Sequence, residues 1–216
     1  MITPDKIYVV HLDEATERLP IIEDALALLR KVDGYKDVPV EVVNRHKRDT
    51  GLIPGSWGRK YSYYQATREH VDVLEQAWVD GHTTILIIED DCVLSPKLNV
   101  ELPVFLNAVA NHAPDWMMLF LGRCFGCQGK KVSDDVILSK GGTGCHAYFL
   151  NLHGIWRVFD HIYCSKFKVI DQAYSDLMRA ENLAYVPKTD LAKQQNGLLS
   201  YNYEHEKQNY PSNAEF

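Results

Sequence analysis

The sequence has no long apolar run. No stretch approaches the roughly twenty residues that cross a bilayer, and no basic-then-apolar leader precedes a small-residue cleavage site. The expectation is a soluble, cytoplasmic protein with no membrane span. Positive charge is also short. Against 29 Asp and Glu stand 23 Lys and Arg, a formal net charge of −6, which excludes a generally basic nucleic-acid surface. An anionic small substrate stays open, because a bound metal ion reverses the sign of a pocket locally. Cysteines are few and odd in number, at five, which fits reduced thiols better than a disulfide framework. Cys124 and Cys127, with Cys145-His146 further on, leave a structural zinc site open, although the spacing is that of neither a ribbon nor a finger. Internal repeats are missing, and so is any linker rich in Pro, Gly or Ser. The 216 residues read as one domain, 1–200, with a polar tail, 201–216.

What is present suffices for a core, at 46% hydrophobic residues and 11% aromatic. Lys6-Ile-Tyr-Val-Val-His-Leu12 predicts a strand. Asp13-Glu-Ala-Thr-Glu17 then opens a helix through Arg18, Ile22, Leu26 and Leu29, ending near Asp33-Gly34. Val38 to Val43 predicts a second strand, and the basic run Arg45-His-Lys-Arg48 reads as a solvated loop or an anion attractor. Gly51 to Gly58 is an irregular loop holding Trp57. Tyr64, Val71, Leu74 and Trp78 recur at helical intervals within Lys60 to Asp80, and Gly81 supplies a C-cap.

The chain is organised around the next stretch, Thr83-Thr-Ile-Leu-Ile-Ile-Glu-Asp-Asp-Cys-Val-Leu94. Thr83 to Ile88 is β-branched or Leu throughout, which predicts a strand buried on both faces in a mostly parallel sheet covered by helices. It ends in Glu89, Asp90 and Asp91. Carboxylates this close repel, and taking them from water is costly unless a cation compensates. Open α/β sheets bind ligands at the carboxyl ends of their strands, where Mg²⁺ or Mn²⁺ takes oxygen ligands and shares them with substrate phosphates. The plain alternative is a solvated acidic turn, with Asp91 capping a short helix.

Further on, Pro103 to Asn111 predicts a short helix, Asp115 to Gly122 a buried strand, Gly126 to Lys131 a loop and Val136 to Leu138 a short strand. Gly141-Gly-Thr-Gly144 has the look of a phosphate cradle without the flanking strand and helix that would make it one. Cys145 to Gly154 runs from strand into helix. Val169-Ile-Asp171 opens another helix with Asp171 as cap or first-turn acid. Leu183 to Val186 is the last clear strand, stopped by Pro187.

Several of these stretches resemble glycosyltransferase family 25, which includes lipooligosaccharide and collagen galactosyltransferases. They are Leu52-Ile-Pro-Gly-Ser-Trp-Gly58, Ser62 opening the helix, the strand ending Glu-Asp-Asp, the Leu-Gly strand end at Gly122, Ala147-Tyr148 in a strand leading to a Gly and a helix, and Gln194, Gln195 and Ser200. Arg59 and Tyr63 stand where the family has Cys and His, and His11 stands where it has Asn. The resemblance implies a GT-A-type, Rossmann-like α/β fold. It also implies inverting transfer of a hexose, galactose or glucose foremost, from a UDP-sugar to a hydroxyl acceptor on a glycan or protein, with lipopolysaccharide a candidate product. Glu89 and Asp91 would hold Mn²⁺ or Mg²⁺. Donor contacts would come from His11, Leu12, Arg18, Ser62 and Asp90, the last on a ribose or sugar hydroxyl. The acceptor must lose a proton as it attacks; Asp171 is the first choice of base and His146 the second. Two other classes remain. One is a metal-dependent nucleotidyl- or phosphoryl-transfer enzyme, although Val9-Val-His-Leu-Asp13 lacks the basic glycine-rich loop such enzymes carry. The other is a catalytically degenerate nucleotide-sugar-binding module, which Arg59 and Tyr63 favour.

Overall fold

The computed structural model describes residues 2–45, 61–123, 129–164 and 168–198, with backbone alone at 44–45 and 61–62. In chain order the first half comprises β1 (Lys6–Leu12), a 3-10 turn (Thr16–Arg18), α1 (Leu19–Leu29), β2 (Val40–Arg45), α2 (Tyr61–Val79), β3 (Thr84–Glu89) and β4 (Cys92–Leu94). The second half comprises α3 (Leu98–His112), β5 (Met118–Phe120), β6 (Gly129–Lys131), β7 (Val136–Ser139), β8 (Ala147–Asn151), α4 (Leu152–Cys164), α5 (Ile170–Glu181), β9 (Ala184–Pro187) and β10 (Ala192–Gln194).

One 8-stranded sheet, ordered β2-β1-β3-β8-β5-β9-β7-β6, divides the core in two. All strands but β8 and β7 run in one direction. Side chains alternate across it, as strand geometry requires. Ile7, Val9, Leu86, Ile88, Leu119 and Phe149 face one way, against Ile22 and Leu29 of α1 and Leu102, Phe105 and Leu106 of α3. Tyr8, Val10, Ile85, Ile87, Met118 and Leu150 face the other, against α2, α4 and α5. In β3 all four side chains from Ile85 to Ile88 are buried, each worth roughly 1.5–3 kcal/mol relative to exposure. The continuous apolar run thus has its cause: there are helices on both faces. This is the mostly parallel, helix-flanked α/β architecture the sequence predicted.

β8 runs antiparallel to both its neighbours, β3 and β5. Three local expectations change. α3 starts at Leu98 rather than Pro103, which lies inside it. Its start is set instead by Ser95, whose Oγ accepts from the Lys97 amide at 3.2 Å and donates to Glu101 at 2.6 Å. Part of the loop expected at Gly126–Lys131 is the edge strand β6, where exposed Lys130 and Lys131 guard an open edge. Asp91 caps no helix, because the chain passes straight into β4, which pairs antiparallel with β10 in a ribbon across the end of β3. The Arg45–Arg48 side chains, Trp57, Arg59, the Ser62 side chain, Cys124, Cys127, Ser200 and the tail lie outside the described residues.

Candidate functional site

The carboxyl ends of β1 and β3 are tied together by one side chain. Asp90, 5% exposed, accepts hydrogen bonds at Oδ2 from the Leu12 amide (3.0 Å) and pairs there with His11 Nδ1 (3.0 Å). At Oδ1 it accepts from Arg18 Nη1, at 2.5 Å. Burial alone would raise its pKa, but the His11 hydrogen bond, the Arg18 charge and the Leu12 amide outweigh that and hold it below the ordinary carboxylate value. Arg18 itself is no solvated helix residue. It closes the 3-10 turn after β1, with its side chain 11% exposed. His11, Leu12, Arg18 and Asp90 therefore converge as one clamp. Asp90 spends both oxygens inside it.

Asp91 is placed differently. Arg18 Nη1 lies 3.6 Å from its Oδ2, while its buried Oδ1 has no hydrogen-bond partner. Burial, then the charges of Glu89 and Asp90, push its pKa up to about 7 in spite of Arg18 and Gln194. One guanidinium thus serves both Asp90 and Asp91, and the deficit falls on Asp91. Either a proton or a cation can make it good. Among the described residues no set of three or more His, Cys, Asp and Glu forms a metal cage. A hard cation that shares substrate phosphates needs only one or two carboxylates, and the orphaned oxygen of Asp91 beside Glu89 fits that requirement.

Glu89 ends a buried polar chain that sequence reasoning missed. His70, fully buried in α2, sets Nε2 3.1 Å from Glu89 Oε1 and Nδ1 2.7 Å from the Tyr148 hydroxyl. The Tyr174 hydroxyl donates to that of Tyr148 at 2.9 Å. Gln194 of β10 donates to Glu89 Oε2 at 3.4 Å. In sequence, His70 sits between Glu69 and Val71 on a helix whose apolar face gave no sign of it, Tyr148 stood out only in the Ala-Tyr strand of the resemblance, and Tyr174 carried no signal.

Asp171 opens α5 at the same end of the sheet. Its Oδ1 accepts from the Gly144 amide (3.3 Å) and the Cys145 thiol (2.7 Å). The next residue, His146, accepts the Glu89 amide on its carbonyl at 2.9 Å, which joins Asp171 to the acidic turn through two consecutive residues. Gly142 donates to Ser175 Oγ at 3.3 Å, so the glycine cluster spends amides on α5 instead of offering them to a phosphate. The His146 ring is fully buried. Burial drops its pKa to about 4 despite a hydrogen bond with the Ala192 backbone, and at neutral pH it is an uncharged core residue. With Cys145 bonded to Asp171 and His146 to Ala192, neither is arranged around a zinc ion.

Neither a protein-family model nor a curated protein matches the sequence. Shape is more informative. The crystal structure of UDP-glucose pyrophosphorylase complexed with UDP-glucose is similar at TM-score 0.51 and 12% identity, over 87% of this chain and 91% of that one. A197 from STIV is similar at TM-score 0.47 and 11% identity, over 84% and 81% of the two chains. A glycosyltransferase involved in glycosylation of the major capsid of PBCV-1 is similar at TM-score 0.39 and 10% identity, over 81% and 68%. At such identities the likeness establishes the fold alone, and the pyrophosphorylase comparison carries it.

The structure thus gathers His11, Leu12, Arg18, Glu89, Asp90, Asp91, His146 and Asp171 at one end of one sheet. Ser62 is the second residue of α2. Among the described residues no helix is long and apolar enough to cross a membrane.

Proposed function

We propose that this chain is a sugar-nucleotide-dependent transferase of the family 25 type, moving a hexose from a UDP-sugar to a hydroxyl of a glycan or protein with inversion. The observation that carries the proposal is the acidic turn at the end of β3, where Asp91 keeps an orphaned, buried oxygen beside Glu89 while Asp90 clamps Arg18 and His11. A neighbouring fold that binds UDP-glucose supports the choice of donor. Mn²⁺ or Mg²⁺ held by Glu89 and Asp91 would supply positive charge for a leaving diphosphate. Arg18, already fixed by Asp90, adds a second positive charge at the same place without reorganising. His11 and Leu12 form the wall beside it, and Asp90 serves the donor through them. Ser62, at the first turn of α2, is suited to a nucleotide hydrogen bond. Asp171 is the proposed base. Its Oδ1 is anchored by Gly144 and Cys145, and its Oδ2 has no hydrogen bond among the described residues, which leaves an acceptor for the incoming proton. His146, buried and neutral, is left as packing.

The test is thermal shift with UDP-glucose and UDP-galactose, with and without Mn²⁺, followed by release of UDP and free hexose. A donor at a hundred times its Kd should stabilise by about 2.7 kcal/mol. The absence of stabilisation by any UDP-sugar with either ion would sink the proposal. Asp171→Asn should leave donor binding and melting close to normal and cut transfer by about a hundredfold or more. A second reading, nucleotidyl transfer, is favoured by the pyrophosphorylase likeness. UTP with a hexose 1-phosphate distinguishes it, since pyrophosphate would then appear.

A further inference from the structure

The chain Tyr174–Tyr148–His70–Glu89 has a direction. A carboxylate only accepts, so the His70 Nε2 that faces Glu89 Oε1 at 3.1 Å donates. Nδ1 then accepts from the Tyr148 hydroxyl, 2.7 Å away, which leaves Tyr174 to donate to Tyr148 at 2.9 Å. Burial keeps both phenols well above the usual tyrosine range, so both keep their protons. The three residues come from α2, β8 and α5 and are fully buried or nearly so, which makes the order a property of the fold rather than of a surface loop. Gln194 approaches the other carboxylate oxygen, at 3.4 Å. Glu89 is thereby addressed on both oxygens, while its side chain stays 24% exposed toward the acidic turn.

We propose that His70, oriented by Tyr148 and Tyr174, is a positioning residue that holds Glu89 as an ionised, fixed ligand for a divalent cation shared with Asp91. The inference rests on the cation site of the proposed function. Its physical content is that of outer-shell partners generally, which fix the orientation of a ligand and whose loss costs 10–100-fold in metal affinity.

The experiment is Mn²⁺ titration of the folded protein with UDP present, following the paramagnetic resonance of free Mn²⁺ and subtracting a protein-free blank. Wild type should bind, and His70→Ala should bind about 10–100-fold more weakly. His70→Gln places an amide N–H near the position of Nε2 and should recover most of the affinity, whether or not it recovers the melting temperature lost in His70→Ala. Tyr148→Phe frees the imidazole orientation and should weaken binding by a smaller factor, and it serves as the test if His70→Ala does not fold. Binding by folded His70→Ala or Tyr148→Phe within twofold of wild type would overturn the positioning role while leaving the cation site standing. Failure of His70→Gln to improve on His70→Ala would overturn it too, since the Nε2 donor would then not be what matters. A wild type that binds no Mn²⁺ removes the cation site itself, a result distinct from either.

Discussion

Asp91→Asn removes a buried carboxyl group whose charge is only partly compensated. The group is buried, and Glu89 and Asp90 next to it push its pKa from 3.8 up to about 7. The native protein therefore takes up a proton near pH 7 that the unfolded chain takes up only near 3.8. Stability from this group is fully present below 3.8, declines as pH rises between the two values, and is lost above about 7. A displacement of about three units corresponds to about 4 kcal/mol across that window. The attraction of Arg18, 3.6 Å away, is already contained in that displacement, but the Asn amide brings N–H donors into a buried position at a cost of about 2 kcal/mol, so the net gain at pH 8 is roughly 2 kcal/mol. For a chain of 216 residues that is a rise of roughly 4–8 °C in Tm. Thermal melts of both proteins at pH 5 and pH 8 in EDTA measure it. The variant should gain at pH 8, and the gain should vanish or reverse at pH 5. Adding Mn²⁺ and UDP should then favour the wild type. A variant no more stable than wild type at pH 8 in chelator refutes the account of Asp91 as an uncompensated carboxylate.

Three other outcomes follow from the same site. Arg18→Ala leaves the nearly buried Asp90 without its cation and should cost about 3–5 kcal/mol in urea unfolding; a loss below about 1 kcal/mol would mean that water takes the place of the guanidinium. His146, held at about 4 against an ordinary 6.5, stabilises the fold above pH 6.5 and loses that contribution as pH falls toward 4. His146→Leu should therefore flatten the acid limb of the stability profile by about 3 kcal/mol, and an unchanged limb assigns it to other groups. At Gly122 a Cβ would collide with the Ala192 carbonyl oxygen and the His146 ring. Gly122→Ala should cost about 3 kcal/mol and displace β10, and unaltered melting would mean that this crossing is loose.

The elements with a local cause were legible in the sequence. Lys6–Leu12 and the Ile85–Ile88 run announced themselves because strands buried on both faces must be apolar at every position. Tyr61–Val79 did so because a helix on a sheet repeats its apolar contacts every three or four residues, and Gly81, at φ 74°, ends it as a left-handed C-cap. The acidic turn was visible for a local reason too: three adjacent carboxylates need an explanation wherever they fold. Only the tertiary structure divided their labour, giving Asp90 to Arg18 and His11, Glu89 to His70, and leaving Asp91 short of a partner. His70 was unreadable because its partners, Tyr148 and Glu89, are 78 and 19 residues away, and nothing in its own helix distinguishes it from a core histidine. The reversed direction of β8 and the β4–β10 ribbon were equally out of reach. Strand direction and pairing are fixed by which edges meet when the helices close over the sheet, and that is a property of the whole chain, not of any segment in it.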